Sequence, residues 1–269
     1  MSPDRRDFIR AILSSLALPS AATAEPVSAT SIDIGRHFRG HGVEGTFVLQ
    51  AVHDDTLLVH DPRRTDREFP PASTFKIPNS LIALETGAIA DEDEVLAWNG
   101  QKQGPEHTWK NQSLRTAIAA SAVWFYQEMA RRVGEKKMRE WIERLGYGNR
   151  DIGGGIDQFW LTGGLRITAR QQVEFLRRLQ ADELPFSERT RRVVKDILVL
   201  ERRGGYVLRG KTGLSRPGEV GWFVGWVERD HRAWIFASNI SFKEDTPITL
   251  RKDVALEVLR ELGLIDHAS

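Results

Sequence analysis

The chain has 269 residues and a mass of 30.4 kDa, and 41% of its residues are hydrophobic, which places it with folded proteins and excludes a disordered one. Its 38 basic and 37 acidic residues are interspersed, so no basic field points to nucleic acid and no acidic tail to a basic partner. Cysteine is absent, which excludes disulfides, a thiolate nucleophile and a cysteine zinc site.

The first 24 residues have the order of an export signal: Arg5-Arg6 and Arg10, an apolar run from Ala11 to Leu18, and Ala22-Thr23-Ala24 as an A-x-A cleavage point. Paired arginines followed by Phe8 suggest the twin-arginine route. Cleavage leaves 35 basic and 35 acidic residues, a neutral mature protein beginning at Glu25. The apolar run is too short to span a bilayer, so a periplasmic location with no membrane attachment after processing is expected.

Residues 25–38 read as an extended or weakly helical lead-in. His37 and His41 have the i, i+4 spacing of a zinc pair, but Gly40 and Gly42 argue for a loop with two solvated histidines. Alternation predicts a strand over 43–52 and its hairpin partner over 56–60. A helix is expected from Pro71-Ala72-Ser73-Thr74-Phe75-Lys76-Ile77 to Gly87, with Pro78 tightening its first turn. Ser73 and Lys76 then share a face, which pairs a nucleophile with a base provided the amine is desolvated.

Apolar residues at spacings of three and four predict helices over 113–120, 124–133, 135–145 and 168–179, the last opened by a Thr168/Gln171 capping box. Residues 147–164 form a glycine-rich loop that carries Phe159-Trp160-Leu161 and must fold back onto something. Period-two patterns predict strands over 206–209, 221–227 and 233–240, and a closing helix runs over 249–262. The expected fold is α+β: one antiparallel sheet built from amino- and carboxy-terminal strands, flanked by helices. After the leader, residues 25–269 make a single domain, with a helical subdomain inserted over roughly 88–200 and a cleft at the junction.

Gly205 to Thr212 spells the phosphate-loop pattern G-x-x-x-x-G-K-T, but its middle residues are strand-like and Gly213-Leu214-Ser215-Arg216-Pro217-Gly218 cannot open a helix, so nucleotide binding is not expected. No H-x-H-x-D or H-E-x-x-H motif occurs, which argues against a metal hydrolase. Read as Lys211-Thr212-Gly213 at a strand end, the same residues follow Ser73-x-x-Lys76 and Ser121-Ala122-Val123 in order. This resembles the signature of the penicillin-recognising serine enzymes. Ser121-x-Val123, Tyr147-Gly148-Asn149 and Phe159-Trp160-Leu161 narrow the resemblance to the class D, oxacillinase-type serine β-lactamases, from about Thr46 to the last helix. Trp124 departs from the proline of many members.

The resemblance implies hydrolysis of a small-molecule β-lactam through an acyl-serine. It assigns Ser73 as nucleophile and Lys76 as base, carried as an N-carboxylysine that needs CO₂ or bicarbonate and no other cofactor. Trp160 would donate to that carbamate, while Val123, Phe75 and Leu161 exclude water. Ser121 would relay a proton to the lactam nitrogen. Lys211, Thr212, Gly213 and Arg251 would hold the substrate and its carboxylate, and the backbone N–H groups of Ser73 and Leu214 would form the oxyanion hole. Trp109, Leu161 and the loop from Leu214 to Gly221 would set the cleft's width. A penicillin sensor or a transpeptidase, acylated without turnover, keeps the same nucleophile and stays open as an alternative.

Overall fold

A computed structural model of the chain describes residues 32–53, 56–215 and 220–266. The leader and its cleavage point lie outside these residues, as does the middle of the loop between Leu214 and Gly221. In chain order the elements are α1 (Gly35–Gly40), β1 (Gly45–Ala51), β2 (Leu57–His60), α2 (Pro62–Thr65), a 3₁₀ turn (Ala72–Phe75) and α3 (Lys76–Glu85). Then come α4 (Leu114–Ala120), α5 (Val123–Val133), α6 (Glu135–Leu145), α7 (Ala169–Gln180), α8 (Glu188–Ile197), β3 (Val199–Arg203), β4 (Tyr206–Leu214), β5 (Val220–Arg229), β6 (Arg232–Ser241) and α9 (Leu250–Glu261).

Among the described residues the strands form one antiparallel six-stranded sheet in the order β2-β1-β6-β5-β4-β3. The amino-terminal strand β1 therefore pairs with β6, matching Val48 to Ala237. The hairpin from β5 to β6 turns at Asp230 and His231, both at positive φ, the backbone that follows the right-handed twist of the strands. Alternation splits the sheet's side chains between two cores. Val48, Trp222, Val224, Trp226 and Ala237 face the side chains of α3, α5 and α7. Phe47, Phe223, Phe236 and Ile240 face Val254, Ala255, Val258 and Leu259 of α9. Each such side chain, fully buried, contributes about 1.5–3 kcal/mol of transfer free energy, and a chain without disulfides relies on that sum.

The capping box expected at Thr168 is present, and Ser113 with Thr116 forms a second one at α4. Residues 35–40 are helical, where an extended or weakly helical lead-in was expected to residue 38 and a loop around Gly40, and the two histidines are not free in solvent. His37 places Nδ1 3.1 Å from Glu257 and Nε2 2.5 Å from Glu261, and His41 Nε2 is 2.9 Å from Glu257. The carboxylates of α9 hold them, and the described residues contain no cluster suited to a metal. Three further elements, α2, α8 and β3, stand where no pattern was read, and β4 runs on to Leu214. That extension makes residues 206–212 a continuous strand, the opposite of a phosphate loop. Among the described residues no helix is long and apolar enough to cross a membrane.

Candidate active site

Ser73 sits in the 3₁₀ turn that leads into α3, so the hydroxyl and the Lys76 amine fall on one side at i, i+3. Lys76 Nζ lies 2.8 Å from Ser73 Oγ. The turn is held under backbone strain: Ala72 has φ of 48°, a region that costs a non-glycine residue about 1–2 kcal/mol. It is kept there by its N–H donating to the Trp160 carbonyl at 3.1 Å, and by Thr74, whose N–H and hydroxyl both donate to Pro71 O. Gln172 on α7 donates in turn to Thr74 Oγ1 at 2.8 Å. Pro78 falls in the first turn of α3, where a missing N–H is tolerated.

Lys76 is fully buried. Burial, and secondly the charge of Lys211, push its pKa well below the usual lysine range, so the amine is held toward its neutral form. Its surroundings are aromatic: Nζ lies 5.2 Å from the Tyr126 ring centroid. The neighbouring Phe75 stacks on Trp160 at 5.3 Å and meets Phe159 edge-on at 4.9 Å. The Trp160 indole N–H is buried and has no acceptor among the described residues. Asn149 fixes the loop that carries it, donating to Gly164 O and accepting from the Arg166 N–H.

Ser121 caps α4 in the left-handed region, φ 60°, which turns its side chain out of the helix. Lys211 Nζ donates to Ser121 Oγ and to Thr212 O, each at 3.1 Å. Burial, with Arg251 as the second cause, brings the Lys211 pKa down to about 7. β4 reaches this place because residue 213 is glycine: a Cβ there would stand 3.0 Å from Pro71 O and 3.1 Å from Thr74 Cγ2. The strand end therefore lies directly against the nucleophile's turn.

A cavity of about 560 Å³ opens over these groups. Ser73, Ser121, Thr162, Thr212, Gly213 and Arg251 supply its polar lining, and Val123, Leu161, Leu214 and Ile248 line its apolar side. Lys76 and Trp160 are buried rather than lining residues. Trp109, expected on the rim, is not among the described lining residues; it stacks on Trp98 at 6.4 Å and donates to Gln103 O, and Gly104 and Pro105 line the cavity in its place. Trp124, the departure from proline, is a core residue whose indole donates to Thr108 O at 2.8 Å. Gly104, Pro105, Thr162 and Ile248 were not read from sequence. Thr162, directly after Phe159-Trp160-Leu161, and Ile248, two residues before Leu250-Arg251, had neighbours that could have drawn attention to them.

Arg251, on the first turn of α9, donates to Ile248 O. Its stem lies over Gly221, where a Cβ would stand 3.0 Å from Arg251 Cβ and 3.3 Å from Cδ. Gly221→Val should displace the guanidinium and raise KM for a carboxylate-bearing substrate about tenfold while leaving kcat within twofold, the split expected when ground-state and transition-state binding are lost equally. Steady-state kinetics check this, and an equal fall in kcat would count against it.

A family profile described as "Penicillin binding protein transpeptidase domain" matches residues 48–260. With the antiparallel sheet and the serine–lysine turn against its strand end, this defines a protein of the penicillin-recognising fold. Narrower likenesses agree. Beta-lactamase OXA-48 of Klebsiella pneumoniae is 42% identical over 232 residues, 85% of this chain and 87% of that one. Beta-lactamase OXA-10 of Pseudomonas aeruginosa is 38% identical over 262 residues, 96% of each. Among solved structures, the class D β-lactamase YbXI from Nostoc superposes with a TM-score of 0.84 at 42% identity, covering 87% of this chain and 99% of that one. The chain belongs to the class D serine β-lactamases.

Proposed function

We propose that this protein hydrolyses the lactam amide of penicillin-type antibiotics through an acyl-serine intermediate, in the periplasm after removal of its leader. The observation that carries the reading is a buried lysine amine 2.8 Å from a serine hydroxyl at the floor of an open cavity. Ser73 Oγ attacks the lactam carbonyl as its proton passes to the base at Lys76. The N–H groups of Ser73 and Leu214 receive the oxyanion, and Ser121, next to Lys211, delivers a proton to the departing nitrogen. Thr212 and Arg251, with Lys211 behind them, hold the carboxylate. Water, directed by the same base, then releases the acyl group.

Two observations support a carbamate on Lys76. A neutral buried amine is the form that adds CO₂, and the indole N–H of Trp160 is a buried donor that still lacks an acceptor. When present, the carbamate supplies an anionic oxygen base.

Stopped-flow hydrolysis of a chromogenic cephalosporin tests the reading: a burst followed by steady turnover is expected, and a burst alone would make the protein a sensor or transpeptidase. The pH profile adds a sign. Lys211 is a cation below about pH 7 and loses its proton above, so kcat/KM should decline on the alkaline side of about 7. Arg251→Leu removes a positive neighbour, which raises the Lys211 pKa and should move that limb to higher pH; an unmoved limb would detach it from Lys211.

A further inference from the structure

A second cavity of about 440 Å³ lies beyond the active-site cleft, between α4, β3, β4 and α9. The two cavities share Thr212, Ile248 and Arg251 as a common wall. Its size is within the usual range for small-molecule pockets, about 300–1,000 Å³. Two large apolar side chains that the described structure leaves exposed converge on it, Leu200 at 44% and Ile248 at 53%. Ile118, Ala119, Ile197, Val199 and Leu256 complete the apolar lining.

Leu200 is there because of a bulge. The pairing of β3 with β4 skips between Val199 and Glu201, so Leu200 is the extra residue and its side chain is re-aimed. It comes to rest over the strand that carries Lys211: the Cβ position of Gly210 is 3.4 Å from Leu200 Cδ1. On the polar side the wall has three cations, Lys211, Arg251 and Lys252, against the single acid Asp253.

We propose that this cavity is a substrate subsite, taking a neutral apolar substituent carried on the carboxylate-bearing ring of the lactam. The proposal rests on the hydrolase reading given above. A carboxylate held at Thr212 and Arg251 sits on the common wall, so a substituent on the next ring carbon starts at the entrance to the second cavity. Burial there covers Leu200 and Ile248, while the excess of positive charge disfavours a cationic substituent.

The test compares two cephalosporin-type lactams with the same acyl side chain, one carrying methyl and the other a 2-phenylvinyl group on the carbon next to the carboxylate-bearing carbon. Leu200→Ser removes the apolar wall, and Ala119→Phe, on the exposed face of α4, fills the cavity instead. Both variants should lower kcat/KM for the phenylvinyl lactam about tenfold and leave the methyl lactam within twofold. Equal responses of the two lactams, or none, would overturn the subsite while the hydrolase reading stands. Failure of the unaltered protein to turn over either lactam would overturn the subsite, and failure on a penicillin as well would overturn both.

Discussion

Ser73→Ala is expected to abolish the acyl-enzyme and to lower kcat on the order of 10⁶-fold, the loss that follows removal of the nucleophile from a serine hydrolase. Intact-mass spectrometry of the unaltered protein with a penicillin should show one adduct, mapping to Ser73, and Ser73→Ala should show none. The substitution is a clean one. The Ser73 hydroxyl is bonded to Lys76, while the bond from the Ala72 N–H to the Trp160 carbonyl and the bonds from Thr74 hold the turn without it. Losing that bond costs about 1 kcal/mol, a shift in Tm of about 2–4 °C, far too small to explain a loss of activity by unfolding. An adduct that persists in Ser73→Ala would place the nucleophile elsewhere.

The second large effect is expected at Trp160. Trp160→Phe keeps the stack on Phe75 and removes only the indole N–H, the buried donor without an acceptor. If that donor holds a carbamate on Lys76, the variant should lose about 2–4 kcal/mol of transition-state stabilisation, roughly 30- to 900-fold in kcat, and stall at the acyl stage. Bicarbonate should restore part of the rate. Labelling with ¹³C bicarbonate should give a carbamate carbon signal in the unaltered protein and a weaker one in Trp160→Phe. The pH dependence has a definite sign: burial, and secondly Lys211, lower the Lys76 pKa, so the neutral amine that captures CO₂ persists to lower pH than in an ordinary lysine and is lost on acidification. Full activity in degassed buffer with no labelled signal would leave Lys76 as a plain amine base.

Much of the fold is written locally in the chain. The Thr168/Gln171 capping box, the run that ends at Gly146 and the alternation over 221–240 each depend on nearest neighbours, and each marks an element of the structure. What escaped reading depends on partners distant in sequence. α8 hides in a charged segment, Glu188–Ile197, whose buried positions are only Thr190, Val193, Val194 and Ile197. β3 is an edge strand with little buried and a bulge that breaks its alternation. His37 and His41 looked solvated because the carboxylates that hold them are more than 200 residues away. At the site, the motif spacing was enough to nominate Ser73, Ser121 and Lys211, which the structure brings together with Lys76. No local pattern announces the positive φ of Ala72 or Ser121, or that Gly104 and Pro105 line the cavity while Trp109 turns to Trp98. Those features arise from packing against Trp160, α5 and β4.

The pairing of β1 with β6 has a consequence for how the protein comes into being. Gly45 is hydrogen-bonded across the sheet to a strand that ends at Ser241, so the central ladder cannot close until nearly the whole polypeptide has been synthesised. Closing so long a loop is entropically costly, and chains rich in such distant pairings fold slowly. The local helices are expected to form first, while the β1–β2 hairpin waits for β6 with an open edge that is a template for strands of other chains. A chain interrupted before Arg232 therefore retains Ser73, Lys76, Ser121 and Lys211 but lacks the strand that joins the two halves of the sheet. Such a fragment would be an aggregation hazard rather than a slower enzyme.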